Sequence, residues 1–176
     1  QLEKLLEEIR HLSVTDGLTG CYNRRALQDK LPEEIERAQR YHRPLAVVFM
    51  DIDHFKQFND QHGHQLGDEV LRSAAKHVAG TLRQGVDWIA RYGGEEFVLV
   101  LPETPLEAAI AIAHRLCDDL PQHAVPNPRG GSVYISASFG VTAYRPGEDA
   151  LALLSRADTL VYQAKSAGRQ QVVAGA

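Results

Sequence analysis

Cysteine is scarce in this chain: Cys21 and Cys117 are the two among 176 residues. With no CxxC pair and no Cys/His spacing of the zinc kind, they exclude a disulfide framework and fit a reducing, cytoplasmic setting. Long apolar runs are missing too. The longest is the six residues Leu45 to Met50, far short of the ~20 needed to cross a bilayer. No secretory leader is recognisable, yet the chain opens QLEKLLEEIR as though cut from a longer protein, which leaves an upstream sensor or membrane anchor open. Basic charge is not in excess: 19 Lys and Arg face 23 Asp and Glu, for a net charge of -4, and no Lys/Arg stripe forms. That argues against a nucleic-acid partner, so an anionic ligand must be caught by a few placed cations rather than by the overall field. Repeats and low-complexity tracts are absent. The hydrophobic share is 44% and the charged share 24%, with a mean hydropathy of -0.28. This is the profile of one soluble domain, able to bury about 70% of its unfolded surface, with a short surplus.

The surplus lies at the front. Leu2, Leu5, Ile9 and Leu12 recur at spacings of three and four with Glu and Lys between them, an apolar seam less than two heptads long. Two readings stand: an amphipathic helix lying on its own domain, or the tail of a coiled-coil stalk. The seam alone is too short to hold a dimer. The expected organisation is a linker or stalk helix over 1–13 and a second unit over 14–176.

Within that unit, residues 13–20 form a turn-rich break, and Asn23 caps a charged helix from Ala26 to Tyr41, interrupted near Pro32. Leu45–Met50 reads as a central strand buried on both faces. A Gly-punctuated stretch over 61–67 leads into a helix from Asp68 to Leu82 that presents Val70, Leu71, Ala74, Ala75 and Val78. Strands over 87–92 and 95–101 around Gly93-Gly94 give a hairpin. A helix over Pro105–Leu120 points Ala108, Ile112, Ala113 and Leu116 inward, and 121–131 is a loop. One long strand over 132–144 follows, then a helix over Asp149–Ser166 stopped by Gly168, then a short strand over 170–173. Helices alternate with strands, but the mid-chain hairpin points to an α+β sheet covered by helices rather than a doubly wound parallel sheet.

The chemistry gathers at two of these places. Asp51-Ile52-Asp53 ends an apolar strand with carboxylates at period two, hence on one side. The hairpin Tyr92-Gly-Gly-Glu-Glu-Phe97 adds two more where glycine lets a ligand approach the backbone. If the strands are neighbours, three or four carboxylates converge. Acidic oxygens without His or Cys suit a hard cation such as Mg²⁺, completed by substrate phosphates.

Taken together, DGLTG (16–20), NRR (23–25), DIDHFKQFNDQHGHQLGD (51–68), RYGGEEF (91–97), SFGV (138–141) and RADTLVYQAKSAGR (156–169) resemble the GGDEF-domain diguanylate cyclases, in order, over about nine-tenths of the chain. The resemblance implies a palm-like α+β fold with a five-stranded, mainly antiparallel sheet wrapped by helices. It implies condensation of two GTP into cyclic di-GMP with release of two pyrophosphates. By the same resemblance Asp51 binds Mg²⁺ (Mn²⁺ can substitute) by its side chain and Ile52 by its carbonyl. Glu95 and Glu96 are the acidic signature positions, both metal-binding, with Glu95 abstracting the ribose 3′-OH proton. Gly93 and Gly94 seat the nucleotide, Asn59 and Asp68 read the guanine edge, and His64 matches a recurrent position of the substrate-side loop. Lys56, Lys165 and Arg169 clamp the triphosphate, with Phe55 at the phosphate-binding turn. Lys165 and Arg169 also suit a helix end, where cations offset the dipole.

One departure stands out. Where many members carry RxxD as a product-binding inhibitory site, this chain has Gln84-Gly-Val-Asp87. Gln cannot supply a charged fork, Arg83 is one position early and should point elsewhere, and Arg115 alone is not enough. Little product inhibition is expected. Because each domain binds one GTP, the resemblance also implies a second GGDEF domain facing the first. The alternatives are a catalytically silent module that binds GTP or cyclic di-GMP, and a dimerising scaffold.

Overall fold

The computed structural model describes the backbone of residues 1–176 and the side chains of all but residues 10–12. The front seam forms α1 (Leu2–Leu12). Leu2, Leu5, Leu6 and Ile9 are all exposed, so this helix does not lie on its own domain. The fourth seam position, Leu12, falls outside the described side chains. In the break that follows, Asp16 accepts from the Thr19 backbone N–H at 2.9 Å and from its hydroxyl at 2.8 Å.

Asn23 caps α2 (Arg24–Tyr41) by accepting from the Ala26 N–H at 2.8 Å. The helix runs through Pro32 without the expected interruption. Pro32 sits on the solvent face, while Leu27, Leu31, Ile35 and Ala38 are buried. That apolar stripe offsets the roughly 3 kcal/mol an internal proline costs.

β1 (Leu45–Ile52) is buried along its whole length. Two short-range surprises follow it. Phe55–His62 is a helix, α3, with no fully buried residue; its contact with the core is the partly buried pair Phe55 and Phe58, too short a stripe to read. Gly63, at φ 90°, then turns the chain straight into α4 (His64–Thr81), which begins ahead of the expected Asp68. Gly67 lies inside α4 because the Asn59 side chain occupies the space of a Cβ there, with Oδ1 1.8 Å from where that atom would sit.

β2 (Trp88–Arg91) and β3 (Glu96–Pro102) make the expected hairpin, closed by the Tyr92 N–H donating to the Glu96 carbonyl at 2.7 Å. The buried stripe of α5 (Leu106–Asp119) is Ala109, Ala113, Leu116 and Cys117. Ala108, expected inside, is exposed, and Ile112 is half-buried. A short 3₁₀ turn leads to a small ladder, β4 (Val125–Pro126) with β5 (Ser132–Val133), within the expected loop. The long strand expected over 132–144 is therefore broken, and its second part is β6 (Ala137–Ala143). The break falls where Ser136 turns its carbonyl and hydroxyl toward Asp53. α6 (Ala150–Ser166), capped by Asp149, and β7 (Val172–Gly175) follow.

The main sheet has the order β2-β3-β1-β6-β7, antiparallel throughout except for the parallel β6–β7 pair. This is the expected five-stranded, mainly antiparallel α+β architecture. Alternate residues of β1 face opposite cores: Leu45, Val47 and Phe49 meet α2 and α6, while Val48, Met50 and Ile52 meet α4 and α5. Helix α6 lies so close to β6 that a Cβ on Gly140 would stand 2.3 Å from the Ala157 carbonyl oxygen and 2.6 Å from the Val161 nitrogen. Arg156 fastens the start of α6 to the end of β6, donating to both Glu148 oxygens at 2.5 and 3.0 Å and to the Ala143 carbonyl at 2.6 Å. No helix among the described residues is long and apolar enough to cross a membrane.

Candidate active site

The central strand β1 delivers Asp51 to the hairpin. Asp51 stands opposite Glu96 in the β1–β3 register, and the Ile52 N–H donates to the Glu95 carbonyl at 3.2 Å. On the other side α6 brings Lys165, whose ammonium donates to Asp51 Oδ2 at 2.5 Å. Burial pushes the Asp51 carboxyl up to about 6, with Lys165 pulling it down and the charges of Glu95 and Glu96 pushing it further up. Glu96 is also raised, by burial first and then by Asp158 and Glu95. Carboxylates that raise one another in this way are short of positive charge.

A cleft of about 480 Å³ opens at this strand end, lined by Asp51, Ile52, Phe55, Lys56, Glu95, Lys165 and Arg169 among others. The structure thus unites most of the expected metal and phosphate residues. Glu96 does not line the cleft; the end of its side chain, Oε1, lies over Gly93 in the space a Cβ would take. Gly94 is exposed at the hairpin tip with open space around it. Asn59, on α3, has a buried Oδ1 with no hydrogen-bond partner. Asp68 lies on α4 in a separate groove, beside Arg72 and Pro126. His64 opens α4, exposed and outside the cleft lining. A second groove, about 620 Å³, runs between α2 and β2 past Lys30 and Trp88 and holds none of the three carboxylates.

The donor set fits a hard cation. Among the described residues no three His, Cys, Asp or Glu side chains group closely enough to hold a metal on their own. Two carboxylates, Asp51 and Glu95, in one cleft suit Mg²⁺, which keeps several waters and takes phosphate oxygens for the rest.

At the degenerate RxxD stretch, Asp87 is already engaged. Arg83, expected to point elsewhere, folds back on it through Nε at 3.0 Å and Nη2 at 2.7 Å, and its backbone N–H donates to the same carboxylate at 2.9 Å. The same guanidinium donates to the Pro102 carbonyl at 2.7 Å. A turn that returns the chain by one helical step explains the correction: the i,i+4 spacing brings the two side chains together. Gln84 and Arg115 are exposed.

Two residues, Arg91 and Arg24, were given no task by the sequence, and Asp53, expected to converge on the site with Asp51, has another one. Arg91 donates to the Gly94 carbonyl at 2.8 Å and to both Asp16 oxygens at 3.2 and 3.3 Å, joining the break after α1 to the signature turn. Burial works against the Asp16 carboxylate, but its bonds to Thr19 and Arg91 hold it below the usual range. Arg24 lies 4.1 Å over the Tyr92 ring. Asp53 is buried and spends its oxygens on Ser136, Ser138 and the Gln170 backbone rather than on the cleft. DGLTG and RYGGEEF marked Asp16 and Arg91 as members of motifs, but nothing in either motif announces the pairing.

Residues 13–171 match the family described as "Diguanylate cyclase, GGDEF domain". Diguanylate cyclase DgcP of Pseudomonas aeruginosa is 42% identical over 170 residues, covering 95% of this chain and 25% of that protein. The response regulator PleD of Caulobacter vibrioides is 41% identical over 174 residues, 98% of this chain and 38% of its own length. The chain therefore spans about a quarter to two-fifths of these relatives. Among solved structures, the coiled coil and GGDEF domain of DgcB from Caulobacter crescentus, in complex with c-di-GMP, superposes with a TM-score of 0.88 at 32% identity, over 99% of this chain and 92% of that one. The active GGEEF domain of a diguanylate cyclase from Vibrio cholerae gives 0.80 at 33% identity, over 86% and 96%. With its carboxylate hairpin, its strand-end aspartate and these likenesses over nearly its whole length, the chain belongs to the GGDEF-domain family of diguanylate cyclases.

Proposed function

We propose that this domain condenses two GTP into cyclic di-GMP, releasing two pyrophosphates. The observation that carries the reading is the single cleft in which Asp51, Ile52 and Glu95 meet Lys56, Lys165 and Arg169. Carboxylates for a cation and cations for a polyphosphate, side by side, are what nucleotidyl transfer requires. Asp51, the Ile52 carbonyl and Glu95 would hold Mg²⁺, or Mn²⁺ as a substitute, and Glu96 would join them by turning its side chain from Gly93. When bound, the metal offsets charge on the α-phosphate and on the leaving pyrophosphate.

The chain's own residues do the rest. Lys56, Lys165 and Arg169 grip the triphosphate, and the Phe55 backbone N–H adds a donor at the start of α3. Gly93 and Gly94 let the nucleotide lie against the hairpin. Asn59, whose Oδ1 lacks a partner, and Asp68 take the N–H edge of guanine, an edge that adenine does not offer; His64, at the start of α4, belongs to the same substrate side. Glu95 takes the proton of the 3′-OH as it attacks.

One domain supplies one GTP, so reaction requires a second domain facing the first, and activity follows their effective concentration. Residues 1–13 act as the stalk, with 14–176 the catalytic unit: the exposed seam of α1 is covered by the same seam of a second copy, and an upstream sensor sets the pairing.

The test is chromatographic detection of cyclic di-GMP after incubation with GTP and Mg²⁺. A fusion to a strong parallel coiled coil is expected to make product, the domain alone much less, and the fusion carrying Glu95→Ala and Glu96→Ala none. A silent fusion that still binds GTP or cyclic di-GMP would move the chain to the silent binding modules.

Product inhibition supplies a further prediction. With Gln84 in place of the arginine and Asp87 held by Arg83, the initial rate should stay level as cyclic di-GMP is added. A low-micromolar dissociation constant at Asp87 would contradict this.

A further inference from the structure

Asp53 stands just beyond β1 and is buried, yet it does not line the cleft. Oδ1 accepts from the Ser138 hydroxyl at 2.6 Å; Oδ2 accepts from the Ser136 hydroxyl at 2.6 Å and from the Gln170 backbone N–H at 3.1 Å. The last partner is the informative one. It belongs to the connection between α6 and β7, where Arg169 and Gln170 have φ of 64° and 49°.

Two successive non-glycine residues in the left-handed region are strained and persist only where the surroundings dictate them. Here the Arg169 N–H reaches back to the Ala164 carbonyl at 2.9 Å, and the Gln171 carbonyl accepts from the Phe139 N–H at 3.0 Å. Between these two anchors the Gln170 N–H is held by Asp53, the charged group among the described partners of this turn. The turn is what directs Arg169 into the cleft.

We propose that Asp53 is a positioning residue: its carboxylate clamps the strained Arg169–Gln170 turn, and thereby Arg169, for the polyphosphate of the nucleotide. This rests on the reading of the cleft as the triphosphate site. It separates the two aspartates of the DID segment into different tasks, one facing the ligand and one facing the scaffold.

The experiment is a double-mutant cycle on GTP binding by calorimetry, in Ca²⁺ to limit turnover, with steady-state kinetics of the coiled-coil fusion alongside. Asp53→Asn keeps one acceptor and the side-chain shape. It should weaken GTP binding and raise KM about tenfold with kcat within about threefold, and Arg169→Ala should do the same. In the Arg169→Ala background Asp53→Asn should add less than about twofold, because the residue it serves is gone. Ser136→Ala, which removes a hydroxyl from the clamp and leaves the carboxylate, should give the same non-additivity with a smaller amplitude, and covers the case in which Asp53→Asn folds poorly. Additive losses, or a fall in kcat with a shifted Mg²⁺ dependence, would overturn the proposal and make Asp53 part of the metal site. A wild-type chain that binds GTP without making product overturns the cyclase reading and leaves the cycle to decide on Asp53. One that binds no GTP overturns both.

Discussion

Replacing Asp51 by Asn lowers product formation by about 10³-fold or more and leaves the metal-free domain at least as stable as the parent. The first half follows from its place: it is the buried carboxylate at the meeting point of β1, the signature hairpin and Lys165. The second half follows from its titration. Its carboxyl is raised from 3.8 to about 6, by burial first. A carboxyl with a raised folded pKa binds its proton more tightly in the native state than in the unfolded chain. Its contribution to stability is therefore most favourable at low pH and is lost as pH climbs from 3.8 through about 6. Near neutrality the ionised group burdens the fold by up to about 3 kcal/mol, a net figure in which the Lys165 pair is already counted, and an Asn gives part of it back by leaving that lysine unpaired. Asn cannot ionise and removes the burden. In EDTA the variant's midpoint should exceed the parent's by roughly 4 °C at pH 7 and by much less at pH 4.5. A variant that is less stable at pH 7 would show that the Lys165 pair outweighs the burial. The site, in that case, would be assembled by attraction rather than held together against repulsion.

The second large effect lies away from the chemistry. Gly140→Ala should destabilise the domain by about 3 kcal/mol, a fall of roughly 6–12 °C in midpoint. The added methyl meets the Ala157 carbonyl and the Val161 nitrogen. These are backbone atoms of α6, which cannot rotate aside as a side chain would. The helix must lift from β6, and it carries Lys165 at its far end. Affinity for GTP should fall along with stability. Gly80→Ala is the control: it sits near the end of α4 with nothing within 4 Å of a new Cβ, and should stabilise slightly, by roughly 0.5 kcal/mol. Urea unfolding of the three proteins checks both signs. Equal stability of parent and Gly140→Ala would mean that the helix has room to spare.

What the sequence announced and what it withheld divide along physical lines. Leu45–Met50 was legible because a fully apolar run bounded by Pro44 and Asp51 has few other fates. The hairpin was legible because two glycines between apolar strands leave little choice, and Asn23, Asp149 and Gly168 gave true helix boundaries. Helix α3 was not, since its apolar contact is no more than two partly buried phenylalanines, Phe55 and Phe58. Gly67 looked like punctuation because the group that makes it necessary, the Asn59 side chain, belongs to another helix. The phase of α5 was half right: Ala113 and Leu116 are buried as expected, but alanines mark both faces, and the sheet selects Ala109 rather than Ala108.

The site divides in the same way. Carboxylates and cations were visible as residue types in motif order, but the sharing of labour among them was not. Asp51 and Asp53 are alike in the sequence and opposite in use, because Ser136 and Ser138 on β6 claim the second. Likewise Arg83 looked misplaced until the turn brought it onto Asp87. The first outcome depends on partners from another element, which spacing along one segment does not encode; the second depends on the turn that brings i and i+4 together.

The parallel strand β7 has a consequence for the order in which the molecule is made. The bonds Lys165–Asp51 and Gln170–Asp53 join residues 114 and 117 positions apart, and the strand that follows them pairs with β6 only when the end of the domain has been synthesised. A nascent chain emerging from the ribosome can lay β1 beside β3, and then β6, long before the polyphosphate clamp exists. During synthesis the clustered carboxylates of the hairpin wait without their lysine, and a chain stopped short of residue 172 would hold the acidic half of the site and lack a settled basic half. The last helix and strand of the domain are the ones that close the active site.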